Sequence, residues 1–151
     1  MTRSDLELAI HAAQSAGAEL VERYHSRDGL DVSTKRAGDF VSNADIHAEQ
    51  SLREILLGAR PDDGWLGEES GETIGQARRW IVDPLDGTTN FLRGIPHWAV
   101  SIALEDAGEL TIGVVHDPLK GETFAAWAGG GITLNGEPAQ SSSTASLDNA
   151  V

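Results

Sequence analysis

Apolar residues recur along this chain with two different periods. Leu6, Ile10, Ala13, Gly17, Leu20, Val21 and Tyr24 are spaced by three or four, one stripe on an amphipathic helix over about residues 5–25. Ser4 with Glu7 fits a capping box at its start. His11 and His25 read as surface residues. Asp28-Gly29 breaks the helix, Leu30 to Thr34 reads as a short strand, and Lys35-Arg36-Ala37-Gly38-Asp39 as a polar loop. Ser42 and Asp45 then resemble a second helix cap, followed by Ile46, Leu52, Ile55 and Leu56 on a helix ending near Ala59, before Pro61. Asp45 is open to two readings there: an N-terminal acid favoured by the helix dipole, or a site residue.

Beyond Pro61 the period shortens to that of strands. Asp62-Asp63-Gly64 is a turn, Trp65-Leu66-Gly67 a short apolar piece ending at Glu68-Glu69, and Gly71 to Arg79 a loop. Trp80-Ile81-Val82 reads as a buried strand that stops at Asp83, because Pro84 fixes its own φ and holds the preceding residue extended. Val100, Ile102 and Leu104 alternate, as do Leu110, Ile112 and Val114 after a turn at Asp106 to Glu109. A turn over Asp117-Pro118-Leu119-Lys120-Gly121 leads to Phe124 and Trp127, and Asn135-Gly136 signals a tight hairpin. Two helices followed by a meander of strands predict an α+β fold, two helices packed on an antiparallel sheet. Ser141 to Thr144 is a loop, and Leu147 to Val151 opens a further apolar element, so the chain reads as cut short rather than self-closing.

The 151 residues suffice for one domain with a real core, and contents of 40% hydrophobic and 23% charged residues are ordinary for a soluble protein. No apolar run approaches the ~20 residues of a membrane span, and the first residues lack the basic-then-apolar pattern of a signal peptide. Cysteine is absent, which excludes disulfides and thiolate metal sites and fits a reducing compartment; the cytoplasm is expected. A net charge of −13 argues against nucleic acid as a partner. It also repels anionic substrates unless divalent cations reverse the local field.

The candidate chemistry lies in Asp83-Pro-Leu-Asp86-Gly-Thr88. A turn through Pro84-Leu85 can aim both carboxylates at one point, and Gly87 allows a backbone conformation or close approach that a side chain forbids. A helix or turn beginning at Thr88 would offer free N–H groups. Hard carboxylate oxygens suit Mg²⁺, and free N–H groups suit phosphate. The competing reading is an Asp-Gly turn with both acids in water. Glu68-Glu69 repeats the arrangement of acids at a strand's end. Gly129-Gly130-Gly131 has no Lys-Ser/Thr behind it and is a turn, the five His lack zinc-ligand spacing, and no serine nucleophile elbow is present.

Four segments, Asp39-Phe-Val-Ser-Asn-Ala-Asp45, Gly67-Glu-Glu-Ser70, Asp83-Pro-Leu-Asp-Gly-Thr-Thr-Asn-Phe91 and Leu134-Asn-Gly-Glu137, in this order and spacing resemble the inositol monophosphatase family. The resemblance implies a lithium-sensitive, Mg²⁺-dependent phosphomonoesterase with a layered α/β/α/β/α fold. Residues 1–151 would be its N-terminal metal- and phosphate-binding domain, with the C-terminal α/β domain and its Trp-Asp metal ligand outside the chain. It implies two or three Mg²⁺ ions: Glu68, Asp83 and the Leu85 carbonyl at the first, Asp83 and Asp86 at the second, and Glu68 at a weaker third. Substrate contacts fall to Gly87, Thr88 and Asp86, with the phosphate on the Gly87 and Thr88 amides. Catalysis falls to Glu68 and to Thr88 oriented by Asp45, which together position and deprotonate the attacking water. Lys35 falls in a segment that approaches the site in the family. The implied partner is a small phosphorylated polyol or sugar, with no nucleic acid and no membrane, and a homodimer is expected. Thr89-Asn90 resembles the inositol monophosphatase branch. Histidinol phosphate, fructose 1,6-bisphosphate and 3′-phosphoadenosine nucleotides are alternative substrates, and a truncated, non-catalytic metal-binding or assembly fragment is the alternative role.

Overall fold

Small side chains set how the helices meet. In α1 (Arg3–Ser26) the fully buried positions are Ala9, Ala12, Ala13, Ala16 and Leu20, and in α2 (Lys35–Ala59) they are Ala44, Ala48, Leu52 and Leu56. Alanine faces bring the two helices together and onto a sheet, while Leu6, Ile10 and Val21 of the predicted stripe lie half-buried at its margins. The computed structural model describes residues 3–26, 35–146 and 148, the side chains of residues 3, 4 and 35–42 excepted. The side chain of Ser4 in the expected capping box, the expected strand at Leu30–Thr34, and the side chains of Lys35 and Ser42 therefore lie outside the described residues. Among the described residues no helix is long and apolar enough to cross a membrane.

The sheet has eight strands: β1 (Gly64–Gly67), β2 (Gly71–Thr73), β3 (Arg78–Asp86), β4 (Ala99–Asp106), β5 (Glu109–Asp117), β6 (Glu122–Trp127), β7 (Gly131–Leu134) and β8 (Glu137–Pro138). Their order is β2-β1-β3-β4-β5-β6-β7-β8, and from β3 onward each strand pairs antiparallel with the next, the expected meander. A short helix, α3 (Thr88–Arg93), lies between β3 and β4. Asn135 and Gly136 both take positive φ, 52° and 85°, in the β7–β8 hairpin, as the primed turn requires. The α+β expectation holds, with helices on a mostly antiparallel sheet.

Four local expectations are corrected. The α2 helix begins at Lys35, so residues 35–39 are helical, and Asp45 stands well inside the helix rather than at its cap. Caps are local signals, and packing of Ala44, Ala48, Leu52 and Leu56 overrides them. Part of the expected 71–79 loop is strand, because β2 folds back on β1, with Gly67 paired to Gly71. The β1–β3 pair is parallel, which alternation of apolar residues does not reveal. Finally, β3 runs through Pro84 to Asp86, with a register shift between Asp83 and Asp86. A bulge is where a strand tolerates a residue with no N–H.

The helices cover one face. Ile102, Leu104, Ile112, Val114 and Ala125 point into it. Also on that side is His116, whose Nδ1 lies 2.9 Å from Thr123 Oγ1. The opposite face exposes Val115, Phe124 and Ile132. At the sheet's start, buried Asp5 of α1 accepts from Arg60 at the end of α2 (Nε, 2.8 Å) and pairs with Arg78 of β3 at 3.3 Å. Arg78 also holds Asp63 at 2.9 Å.

Gly17 of α1 packs directly on His116: a Cβ there would stand 2.7 Å from its ring Cδ2. Although alanine favours helices by about 1 kcal/mol, Gly17→Ala is expected to destabilise the protein by about 1–3 kcal/mol through overpacking, read from urea unfolding. Burial holds the His116 imidazole below its ordinary 6.5, against the pull of a backbone hydrogen bond at Glu122 and the Asp117 charge. The folded state resists its protonation, so its contribution is fully present above pH 6.5 and falls as the pH drops below it. His116→Gln is expected to flatten the loss of melting temperature between pH 7.5 and 5; an unchanged slope contradicts this.

Candidate metal and phosphate site

Parallel pairing of β1 with β3 sets Gly67 opposite Val82, and the Glu68 amide donates to the Val82 carbonyl at 3.3 Å. The next residue of each strand, Glu68 and Asp83, therefore emerges at the same end of the sheet, where strand ends commonly hold ligands. Glu68 acts on Asp83 through its charge and through a side-chain hydrogen bond. Burial, the Glu68 charge and that hydrogen bond raise Asp83 to about 6; the Leu85 amide opposes this, and the Asp86 charge adds to it.

Asp45 reaches the same place from α2. It is buried, and its Oδ1 has no hydrogen-bond partner. Burial is the largest cause of a rise to about 7, followed by the charges of Glu69, Glu68, Asp83 and Glu49. Acids from a helix and two strands thus converge although separated widely in sequence. Asp86 is exposed at the edge of this group, opposite Ala99, and acts on Asp83 through its charge.

The turn after Asp83 is held from within. The Leu85 amide donates to Asp83 Oδ1 at 3.1 Å, and the Thr88 hydroxyl donates to the Leu85 carbonyl at 3.1 Å. Gly87 precedes α3 at φ 95°, ψ 34°, and a Cβ there would crowd the His97 carbonyl and Trp98 at about 3.1 Å. The Asn90 side chain donates to that carbonyl at 2.7 Å, seating α3 on the segment before β4. Behind it Tyr24, Phe91 and Trp98 pack edge to face or tilted, with centroids 5.1–5.6 Å apart. A cavity of about 330 Å³ opens from Asp86 and Gly87 between Asn90, His97, Trp98 and Lys120.

The structure thus brings Asp45, Glu68 and Asp83 together, puts Asp86 and Gly87 at the mouth of the neighbouring cavity, and turns the Thr88 hydroxyl to Leu85. No hydrogen bond joins Thr88 to Asp45 among the described residues. Nor, among the described residues, do three or more His, Asp or Glu side chains group closely enough to hold a metal ion by themselves. The donor set nevertheless fits a hard divalent cation. It consists of carboxylate and carbonyl oxygens, one of them buried and unpartnered, and its charges repel one another. Mg²⁺ keeps several waters and is held by few carboxylates.

One residue escaped the reading of the sequence. Glu49, one turn past Asp45, is buried, and it accepts hydrogen bonds from the backbone amides of Glu69 and Ser70 at 2.8 and 2.9 Å. The available signal was an acid on the buried face of α2, beside Ala48 and Leu52.

Because Asp45 rises from its ordinary 3.8 to about 7, its stabilising contribution is present below pH 4 and is lost as the pH climbs to about 7. Asp45→Asn keeps the shape and removes that loss. The metal-free variant is expected to melt above the parent protein at pH 8, with the gap closing towards pH 4. Equal melting temperatures at both pH values in chelator would contradict the assignment.

The profile of the inositol monophosphatase family matches residues 1–151. An inositol-1-monophosphatase of Rhizobium meliloti is 49% identical over 138 residues, 89% of this chain and 52% of its own length. The Nus factor SuhB of Escherichia coli K12 is 39% identical over 148 residues, 97% of this chain and 55% of its own. The crystal structure of the extragenic suppressor protein SuhB from Bartonella henselae superposes with a TM-score of 0.82 at 43% identity, covering 91% of this chain and 54% of that one. The inositol monophosphatase of Anabaena gives 0.80 at 35% identity, covering 94% and 51%. The chain spans about half the length of these relatives. With the profile matched from end to end and the fold shared, the chain belongs to the inositol monophosphatase family.

Proposed function

We propose that this chain carries the metal- and phosphate-binding half of a Mg²⁺-dependent phosphomonoesterase acting on inositol monophosphate or a related polyol or sugar phosphate. The convergence of Asp45, Glu68 and Asp83 from α2, β1 and β3 carries the reading. Glu68, Asp83, the Leu85 carbonyl and Asp86 would hold Mg²⁺, which when bound neutralises phosphoryl charge and acidifies water. The Gly87 and Thr88 amides, at the start of α3, hold phosphate oxygens. Thr88, oriented by Asp45, and Glu68 together position the attacking water and take its proton. Water oxygen bonds to phosphorus as the P–O ester bond breaks, and the leaving alkoxide is protonated from solvent. Such chemistry needs positioning and charge neutralisation more than a covalent intermediate.

A second reading is a non-catalytic, metal-binding assembly component. The apolar sheet face at Val115, Phe124 and Ile132 favours it, and the Escherichia coli relative is the Nus factor SuhB.

With the C-terminal α/β domain present, phosphate release from inositol 1-phosphate is expected to require Mg²⁺, to stop on chelation, and to fall about 100-fold or more in Asp83→Asn and Glu68→Gln; the 151-residue chain alone is expected to be feeble or inactive. Release that survives chelation would refute the phosphatase reading. Mg²⁺ binding without turnover even when the C-terminal α/β domain is supplied would select the second.

A further inference from the structure

Glu49 puts an ionisable side chain where α2 is otherwise lined by Ala44, Ala48 and Leu52, only 3% exposed. Both its oxygens are engaged, Oε2 by the Glu69 amide at 2.8 Å and Oε1 by the Ser70 amide at 2.9 Å. These are the two residues immediately after Glu68. The residue before it, Gly67, is equally constrained: a Cβ there would collide with the Glu49 carboxyl and with the Trp65 indole nitrogen. That indole donates to Ser70 Oγ at 3.0 Å, and the Glu68 amide is tied to Val82 of β3 at 3.3 Å. Glu68 itself is exposed. Its backbone is gripped on both sides while its side chain projects from the sheet.

We propose that Glu49 is a positioning residue for the metal site. Its carboxylate binds no ion; it clamps the Glu68–Ser70 turn to α2 and so sets where Glu68 stands relative to Asp45, one turn away on the same helix, and to Asp83 on β3. A carboxylate suits this role, offering one acceptor oxygen to each of the two N–H donors. Glutamine would present one acceptor and one amide group that opposes the second N–H. Aspartate, one methylene shorter, would not span both amides. Gly67 is the matching half of the device, since the clamp closes only where β1 has no side chain. The assignment rests on the proposed divalent-cation site.

The test compares Glu49→Gln, Glu49→Asp and Glu49→Ala with Leu52→Ala, which truncates the same buried helix face. Three quantities are read in the 151-residue chain: hydrogen exchange at the Glu69 and Ser70 amides, Mn²⁺ affinity by calorimetry, and melting temperature. Glu49→Gln, close in volume to the parent residue, is expected to fold, to raise exchange at one of the two amides at least tenfold, and to weaken Mn²⁺ binding about tenfold. Glu49→Asp and Glu49→Ala should weaken it further, while Leu52→Ala lowers the melting temperature and leaves affinity unchanged. Mn²⁺ binding that persists unaltered in Glu49→Gln and Glu49→Ala would overturn the role of Glu49 alone. So would an equal loss of affinity in Leu52→Ala. Absence of Mn²⁺ binding by the parent chain would overturn the metal site itself, and with it the assignment of Glu49 to that site.

Discussion

Burial and the neighbouring charge of Glu68 make the ionised Asp83 carboxylate costly, at the ends of neighbouring parallel strands, unless a cation joins the two acids. That constraint, between Glu68 and Asp83, organises this protein. It arises from register: Trp65 stands opposite Trp80 and Gly67 opposite Val82, so the next residues must meet. Both tryptophans are fully buried. Slipping the register by one residue would turn them to the other face and separate the acids. The same apolar packing that stabilises the sheet therefore enforces an electrostatically unfavourable pair. A buried acid from α2, with an unpartnered oxygen, adds to the tension. Proteins keep such strain where a ligand relieves it.

The rest of the architecture makes the meeting point rigid. The meander from β3 to β8 pairs each strand with its successor and supports α1 and α2 on one face. At the end of the sheet remote from the acids, Asp5 joins α1 to the end of α2 and the start of β3 through Arg60 and Arg78. At the near end, Tyr24, Phe91 and Trp98 pack α3 against α1, and the Tyr24 hydroxyl donates to the Gly94 carbonyl at 2.8 Å. Two helices and a strand pair are thereby fixed at both ends, so Asp45 and Asp83 are placed by helix and strand and Glu68 by the turn that directly follows β1.

Glycine serves the site in two physically different ways. Gly87 is needed for conformation, because its positive φ turns the chain from β3 into α3. Gly67 is needed for space, where strand, indole and carboxyl converge. A sequence motif records both as the same letter.

Much was legible in the sequence because the responsible forces are local. Periodicity gave α1 and the alternating strands, Asn135-Gly136 gave its hairpin, and the spacing of the acidic motifs gave the family. Asp83 and Asp86 were legible as a pair because one tight turn carries both. What the chain could not disclose by itself was which acids would share a space. Asp45 is open to a cap reading until the helix proves to begin at Lys35, and nothing local singles out Glu49 until the β1–β2 turn descends on it. The parallel β1–β3 pairing was hidden for the same reason: strand direction is settled by which faces pack together, not by any residue's own preference. Local rules determined the elements and their chemistry. Burial and charge, which depend on distances between segments far apart in the chain, determined the site, and only the folded structure has those distances.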